Sequence, residues 1–302
     1  MYTIVVPRKP LLALLMSLIL PGFGQLYNGE PNRAIWFFLV YFGLGAPALA
    51  LIALYVPSSA MLAALVLALC MILALWVYGM IDAWTSARRQ PDYMVRSWQS
   101  SGMYVLVLLT CALTVQPLLA SYVRNHEVES FRIPSSSMQP TLMPDDFIFA
   151  DMRYNCPECK QAVSRGDIVI FTFPNNRTLY YLKRIVGLPG ERVQIKGHEV
   201  LINGQPLNIS DVPGNLGTQV SEGNDARRWQ VWWSTQQTQQ PELDVTVPAG
   251  EVFVLGDNRN LSVDSRDIGC IPLQDVVGRV RQIWFSRADA AIRWNRMGKV
   301  VD

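Results

Sequence analysis

The sequence has little charge and little histidine. Charged residues account for 17% of the chain against 50% hydrophobic residues, a balance too apolar for a wholly soluble protein and typical of membrane segments. The two histidines, His126 and His198, lie in no recognisable motif, which weighs against a triad of serine, histidine and aspartate. The formal net charge is +2 and there is no basic run, so nothing indicates a nucleic-acid partner.

The N-terminal part of the sequence contains long uncharged stretches. Three candidate membrane spans lie at about 34–55, 60–81 and 102–122. Each is long enough to cross a bilayer as a helix, which takes about 20 residues. A fourth stretch, 10–29, is interrupted by Pro21 and Gly22. We therefore expect a membrane-anchoring region at residues 1–126 with three or four apolar spans.

The basic residues around these stretches predict their orientation. They are Arg8, Lys9, Arg33, Arg88, Arg89 and Arg96. Basic residues near spans favour the cytoplasmic side of a membrane. If all six are cytoplasmic, the segment at 11–27 does not cross, and the segment near 102–122 leaves the cytoplasm. This predicts a multi-pass protein of the bacterial inner membrane whose second domain lies on the outer, periplasmic face.

From about residue 127 the sequence changes to short β-rich runs separated by turns. Seven runs fit strands: 147–149, 167–173, 179–182, 192–195, 200–202, 250–255 and 279–285. Asn203 followed by Gly204 is typical of a two-residue hairpin turn. The pattern predicts an all-β domain at residues 127–286.

Within this domain, residues at about 205–248 are polar and resemble an insertion with weak strands. Trp229, Trp232 and Trp233 in it form either a local core, which we favour, or a surface that touches lipid. Residues 287–302 are interpreted as a C-terminal tail.

Three stretches of the second domain carry the chemistry. Residues 131–142 read Phe-Arg-Ile-Pro-Ser-Ser-Ser-Met-Gln-Pro-Thr-Leu, in which two prolines stiffen a loop that presents three serines. Residues 180–190 read Tyr-Tyr-Leu-Lys-Arg-Ile-Val-Gly-Leu-Pro-Gly, and residues 256–266 read Gly-Asp-Asn-Arg-Asn-Leu-Ser-Val-Asp-Ser-Arg. Taken singly, the first also fits an ordinary serine-rich turn and the second a solvated strand face. Together the three resemble type I signal peptidases (leader peptidases), the serine/lysine proteases that cut signal peptides from exported proteins.

The resemblance implies a signal peptidase-type β fold with a catalytic dyad. It identifies Ser137 as the nucleophile and Lys183 as the general base. Ser135 corresponds to a hydroxyl that helps to bind the oxyanion, and Ser262 to a serine that orients the lysine. The residues that correspond to structural supports of the site are Asp257, Asn258, Arg259, Asp264 and Arg266. The residues implied around the substrate pockets are Phe131, Ile133, Pro134, Met138, Leu142, Tyr181 and Leu182.

A lysine can act as a general base only if it loses its charge. In water its pKa is about 10.4, so desolvation must lower the pKa before the amine accepts a proton near neutral pH. The neighbours Tyr181, Leu182, Ile185 and Val186 are apolar or aromatic and fit that requirement. Such a site needs no metal and no cofactor.

The resemblance thus implies a membrane-bound serine endopeptidase that cleaves N-terminal signal peptides from exported preproteins after small residues, of the Ala-x-Ala type. Its expected partners are preprotein signal peptides and the lipid bilayer, with the secretion translocon as a further candidate. Two alternatives stay open. One is a related serine/lysine protease that matures one dedicated exported substrate, and the other is a non-catalytic, membrane-anchored protein that binds exported peptides.

Cys156 and Cys159 form a Cys-x-x-Cys pair shortly after the serine stretch. Such a pair is half of a zinc site, but the other half is missing, because Cys270, His126 and His198 are scattered. The predicted location outside the cytoplasm favours a disulfide, since disulfides persist there. We expect a bridge between Cys156 and Cys159 and no metal; a zinc knuckle completed in an oligomer is the alternative.

Overall fold

The structure is a computed structural model of the 302-residue chain. It describes residues 5–56, 58–154, 163–214, 217–223, 227–234, 242–289 and 291–301. The chain divides into two compact units, Met1–Asn125 and His126–Asp302. Cys156 and Cys159 lie outside the described residues, so the disulfide between them stays a prediction.

The N-terminal unit is mainly helical. Its helices are α1 (Pro10–Ile19), α2 (Phe23–Tyr27), α3 (Pro31–Tyr55), α4 (Ser58–Arg88), α5 (Ser101–Thr110) and α6 (Gln116–His126). A π-helical turn at Cys111–Val115 joins α5 to α6. Two short strands, β1 (Val5–Val6) and β2 (Tyr93–Met94), pair in the antiparallel sense.

Two helical segments are long and apolar enough to cross a membrane, judged by length and composition. They are Ala63–Arg88, with 26 residues, and Ser101–Arg124, with 24. The predicted spans at 60–81 and 102–122 lie largely on these segments. The third predicted span falls on α3, and its crossing of a membrane stays a prediction. Helix α1 has only 10 residues, about half of what a span needs.

The break between α1 and α2 has a local cause. A proline is followed by Gly22, whose φ of 88° lies in the left-handed region that glycine adopts readily. The break brings α2 against α4, where buried amides find backbone partners. Gln25 Nε2 donates to Gly79 O at 2.8 Å, and Asn28 Nδ2 donates to Ala83 O at 2.8 Å. The Pro-Gly-Phe-Gly turn therefore serves helix packing within this unit.

The C-terminal unit is built from β-strands, which confirms the all-β prediction. The strands are β3 (Val128–Arg132), β4 (Asp146–Asp151), β5 (Ile168–Thr172), β6 (Tyr180–Gly187), β7 (Arg192–Lys196), β8 (Glu199–Ile202), β9 (Gln205–Pro206), β10 (Asn208–Gly214), β11 (Gly217–Gly223), β12 (Arg228–Ser234), β13 (Leu243–Thr246), β14 (Glu251–Leu255), β15 (Ile271–Pro272), β16 (Val276–Ala288) and β17 (Ala291–Ile292). One short helix, α7 (Ser265–Ile268), follows β14. Each of the seven runs predicted from the sequence overlaps a strand and extends beyond it by at most one residue at either end.

These strands form three antiparallel sheets. The largest has the order β15-β14-β6-β5-β16-β4-β3, with β17 paired to β16. A second has the order β13-β7-β8-β9, and a third the order β10-β11-β12. The large sheet is covered on both faces, because β5 directs Ile168 and Ile170 into one hydrophobic cluster and Val169 and Phe171 into another. This core fixes β6, the strand that carries the candidate base.

The segment at 205–248 is an ordered part of the fold where it is described. It supplies β9 to β13, and its Trp229 and Trp233 are buried in one cluster with Val220 and Val231. The local-core interpretation of these tryptophans is thereby confirmed, while Trp232 is half-buried.

The C-terminal tail at 287–302 packs on the β unit over its described residues 291–301. This segment folds back along β16, where Ile283 N donates to Lys299 O at 3.0 Å. Arg296 Nη2 also donates to the buried carboxylate of Asp146. The segment is part of the domain because it supplies a cation to this buried acid.

Candidate active site

The candidate nucleophile, Ser137, lies on the turn between β3 and β4. The turn is held at its base by a backbone hydrogen bond of 2.8 Å from Ile133 N to Asp146 O. Within it, Met138 and Leu142 are buried, and Leu142 N donates to Met138 O at 2.9 Å. The apolar side chains thus anchor the turn in the core and leave Ser137 half-buried at its surface.

The structure brings Lys183 of β6 to this serine. Lys183 Nζ lies 3.2 Å from Ser137 Oγ and donates a second hydrogen bond of 2.9 Å to Leu182 O. The lysine side chain is enclosed, since the residue is only 4% exposed. A nucleophile and a base within hydrogen-bond reach of each other are the arrangement that nucleophilic catalysis requires.

The surroundings of Lys183 change its acidity. Burial lowers the pKa of the amine from its ordinary 10.5 to about 8, because desolvation penalises the charged form. The carboxylates of Asp264 and Asp257 act in the opposite direction, and the Arg266 guanidinium adds a small lowering effect. The amine is therefore neutral in a substantial fraction of molecules near pH 8 and can accept a proton.

Ser135 lies beside the nucleophile. Its Oγ is 3.2 Å from Ser137 Oγ, and the residue is exposed at the surface of the turn. A hydroxyl at this place can donate to an oxygen that gains negative charge next to Ser137. The position therefore suits the oxyanion role that the sequence assigns to it, and that role stays a prediction.

A loop at residues 256–266, which we call the clamp loop, binds the nucleophile turn through hydrogen bonds to its backbone carbonyls. Asn258 N donates to Ser137 O at 3.0 Å, and Asn258 Nδ2 donates to Ser136 O at 3.2 Å. The loop is ordered by Asp264, which accepts from Gly256 N at 2.9 Å and from Arg266 Nε at 2.8 Å. All five predicted support residues belong to this loop.

Asp257 joins the clamp loop to the strand of the base. Its carboxylate accepts from Arg184 Nε and Nη2, both at 2.7 Å, and from Thr141 Oγ1. Successive strand residues point to opposite faces, so Arg184 lies opposite the face of Lys183. Sequence reasoning named Asp257 but missed Arg184 and Thr141. The sequence signal for Arg184 was its place directly before an apolar strand run, which indicates that the strand is buried. A buried arginine needs an acidic partner, so this pattern predicts an ion pair.

Arg259 of the clamp loop pairs with Glu222, a third residue that the sequence did not identify. The two guanidinium Nη atoms donate to the two carboxylate oxygens, and both side chains are fully buried. Glu222 lies on β11 within the segment interpreted as an insertion, and the two residues are 37 positions apart. No motif could have identified this pair.

The lysine-orienting role of Ser262 stays a prediction. Its Oγ is buried and has no hydrogen-bond partner in the part of the chain that the structure describes. The side chain packs against Gly256, where an added Cβ would lie 2.1 Å from Ser262 Oγ. The hydrogen bonds of the lysine amine among the described residues go to Leu182 O and Ser137 Oγ.

An apolar cleft of about 370 Å³ opens beside the two catalytic candidates. Among its lining residues are five that were predicted for the substrate pockets: Ile133, Pro134, Met138, Tyr181 and Leu182. Tyr180, Leu261 and Val263 line it as well and were not predicted. The placement of Leu142 in a pocket is wrong, because this side chain is 0% exposed and packs in the core. Phe131 also lies outside the lining, with its ring against that of Tyr180 at 6.1 Å.

Comparisons with known proteins find a family model and several relatives that match this chain. The family model described as "Signal peptidase, peptidase S26" matches residues 103–285. A signal peptidase I of Pseudomonas aeruginosa is 30% identical over 219 residues, covering 59% of this chain and 76% of the relative. One of Pseudomonas fluorescens is 30% identical over 232 residues, covering 64% and 81%. A solved signal peptidase I from Enterococcus faecalis is 32% identical, with a TM-score of 0.27, and covers 39% of this chain and 97% of that one.

Proposed function

The chain belongs to the signal peptidase family, peptidase S26, and we propose that it is a serine endopeptidase that releases exported preproteins from their signal peptides through a Ser137–Lys183 dyad. One observation carries the dyad: Ser137 Oγ and Lys183 Nζ lie 3.2 Å apart in an apolar cleft. Lys183 is the base because burial has lowered its pKa to about 8.

The reaction follows from these positions. Neutral Lys183 takes the proton of Ser137 Oγ as that oxygen attacks the scissile carbonyl carbon. The resulting ammonium gives the proton to the leaving amine, and the signal peptide stays bound as an ester on Ser137. Water then attacks the ester, Lys183 again accepts a proton, and the carboxylic acid product leaves with Ser137 restored.

The oxyanion and the cleft complete the proposed chemistry. The Ser135 hydroxyl and the Ser137 backbone N–H donate to the carbonyl oxygen when it becomes negative, and a donor of this kind typically contributes about 10²–10³ in rate. Ile133, Pro134 and Met138 leave shallow apolar space beside Ser137. Such space admits alanine before the cut, of the Ala-x-Ala type, and rejects larger side chains by overlap.

The helical unit supplies the proposed membrane anchor. Its two candidate spans, Ala63–Arg88 and Ser101–Arg124, would hold the enzyme in the bilayer through which its substrates pass. The basic residues between them support a cytoplasmic location of the connecting loop by the positive-inside rule. Residues 127–302 would then lie on the periplasmic face. Preprotein signal peptides and lipid are its partners in this arrangement.

The test is cleavage by the purified full-length chain in detergent micelles. A panel of exported preproteins with Ala-x-Ala sites is incubated with the enzyme, and each cut is mapped by mass spectrometry. We expect cuts after the alanine at −1 in several substrates, and none when that alanine becomes a large residue. Cleavage of a single substrate only would favour a dedicated maturation protease. Binding without any cleavage would favour the non-catalytic alternative.

A further inference from the structure

The nucleophile turn is held in place by a backbone hydrogen bond from the clamp loop. Asn258 of the clamp loop donates its backbone N–H to Ser137 O at 3.0 Å. The carbonyl of Ser137 is therefore fixed by one residue of the clamp loop. Any shift of Asn258 moves both the Ser137 hydroxyl and the Ser137 N–H.

The clamp loop is itself held from its other side by β12. Trp232 N donates to Asp257 O at 2.8 Å, and Arg259 N donates to Trp232 O at 2.9 Å. Asn258 thus lies in an isolated parallel bridge with Trp232, between two backbone hydrogen bonds. Its own N–H is left to point at the nucleophile turn.

The side chain of Arg259 stabilises the position of the clamp loop. Its guanidinium donates to both oxygens of Glu222, and its Nε donates to Gly256 O at 3.2 Å. Trp229 Nε1 donates to the same carboxylate at 3.2 Å. Glu222 and Arg259 are both fully buried, so each charge depends on the other for compensation.

We infer that Glu222 is a positioning residue for the reaction. Through its ion pair with Arg259 it holds the clamp loop in the position in which Asn258 N donates to Ser137 O. The sheet β10-β11-β12 then contributes to catalysis, because it carries the residue that positions the clamp loop. This role presupposes the proposed peptidase function. A group held about 1 Å out of place can cost about 10² in rate, while substrate binding in the cleft does not involve Glu222.

The test uses Glu222→Gln in the full-length enzyme, which keeps the shape and removes the charge. We expect kcat to fall about 10²-fold per folded molecule, with KM and the pH midpoint of kcat/KM unchanged. Asp244→Asn is the matched control, since Asp244 pairs with Arg192 at an exposed site of the same segment, and it should keep full activity. Circular dichroism provides the folded fraction for every variant.

Two further variants keep the inference testable if Glu222→Gln folds poorly. Trp229→Phe removes the indole N–H that donates to Glu222, together with part of the buried ring, and leaves the charge pair of Glu222 and Arg259 in place. It should lower kcat to a smaller degree. In an Arg259→Met background, Glu222→Gln should cost nothing more, because both act on one loop. An unchanged kcat in folded Glu222→Gln, or a loss confined to KM, would overturn the positioning role. Failure of the wild-type chain to cleave would instead overturn the proposed function.

Discussion

The acidity of Lys183 makes a quantitative prediction about the pH dependence of cleavage. Burial lowers the pKa of this amine from 10.5 to about 8. With a pKa of 8, about one tenth of the molecules carry the neutral base at pH 7. With the ordinary value, about one in 3,000 would do so. Desolvation thus raises the competent fraction at pH 7 by about 300-fold.

The perturbation is pH itself, varied from 6 to 10 with the full-length chain in micelles. The assay is kcat/KM for a preprotein substrate, which reports the pKa of the free enzyme. Activity should rise about tenfold per pH unit below pH 8 and reach a plateau above about pH 9. Samples returned to pH 8 and assayed again separate reversible titration from inactivation.

Two results would refute the reasoning. A rate that stays flat down to pH 6 would mean that Lys183 is not the base, since a protonated ammonium cannot accept a proton. A rate that still climbs past pH 10 would mean that burial does not lower the pKa of the amine. Ser135→Ala provides the matched comparison, because it removes no charge and should keep the same midpoint.

Two other predictions concern the active site, and a third concerns the membrane topology. Ser135→Ala should lower kcat by about 10²–10³ with little change in KM, because the oxyanion exists chiefly in the transition state; steady-state kinetics checks this, and a pure rise in KM would contradict it. Lys183→Met should raise the free energy of unfolding at pH 7 by up to about 3 kcal/mol, because the folded-state pKa of about 8 lies below the ordinary 10.5. Denaturant titration should find this gain complete below pH 8 and fading towards pH 10.5, and equal stability at pH 7 would count against it. In a cysteine-free background, an impermeant thiol reagent applied from outside should modify a cysteine at Ser58 and spare one at Ser86; the reverse pattern would refute the predicted topology.

Much of the catalytic centre could be predicted because its signals are local. The serine stretch and the lysine strand each occupy about a dozen consecutive residues or fewer. The spacing of residues within each can therefore be read without knowledge of the fold. The strands were predictable for the same reason, because runs of β-branched and aromatic residues between turn residues indicate strands directly. The structure then brings Ser137 and Lys183, 46 positions apart, into contact.

The supporting contacts could not be predicted, because they depend on which segments meet in space. Glu222 looked like one acid among many in a polar segment, and only its burial against Arg259 gives it a role. Leu142 is the last residue of the serine stretch, yet the turn directs it into the core instead of the cleft. The segment 291–301 has no strong pattern of its own, and Arg296 orders it by pairing with Asp146.

The most direct test of the dyad compares Ser137→Ala and Lys183→Ala with the wild-type chain on one preprotein. Ser136→Ala and Lys196→Ala are the matched controls, since Ser136 is the neighbour of the nucleophile and Lys196 is an exposed strand lysine. The measurement is the rate of release of the mature protein by equal amounts of folded enzyme. The dyad predicts that both first variants lose cleavage while both controls keep it. Substantial processing by folded Ser137→Ala or Lys183→Ala would contradict it.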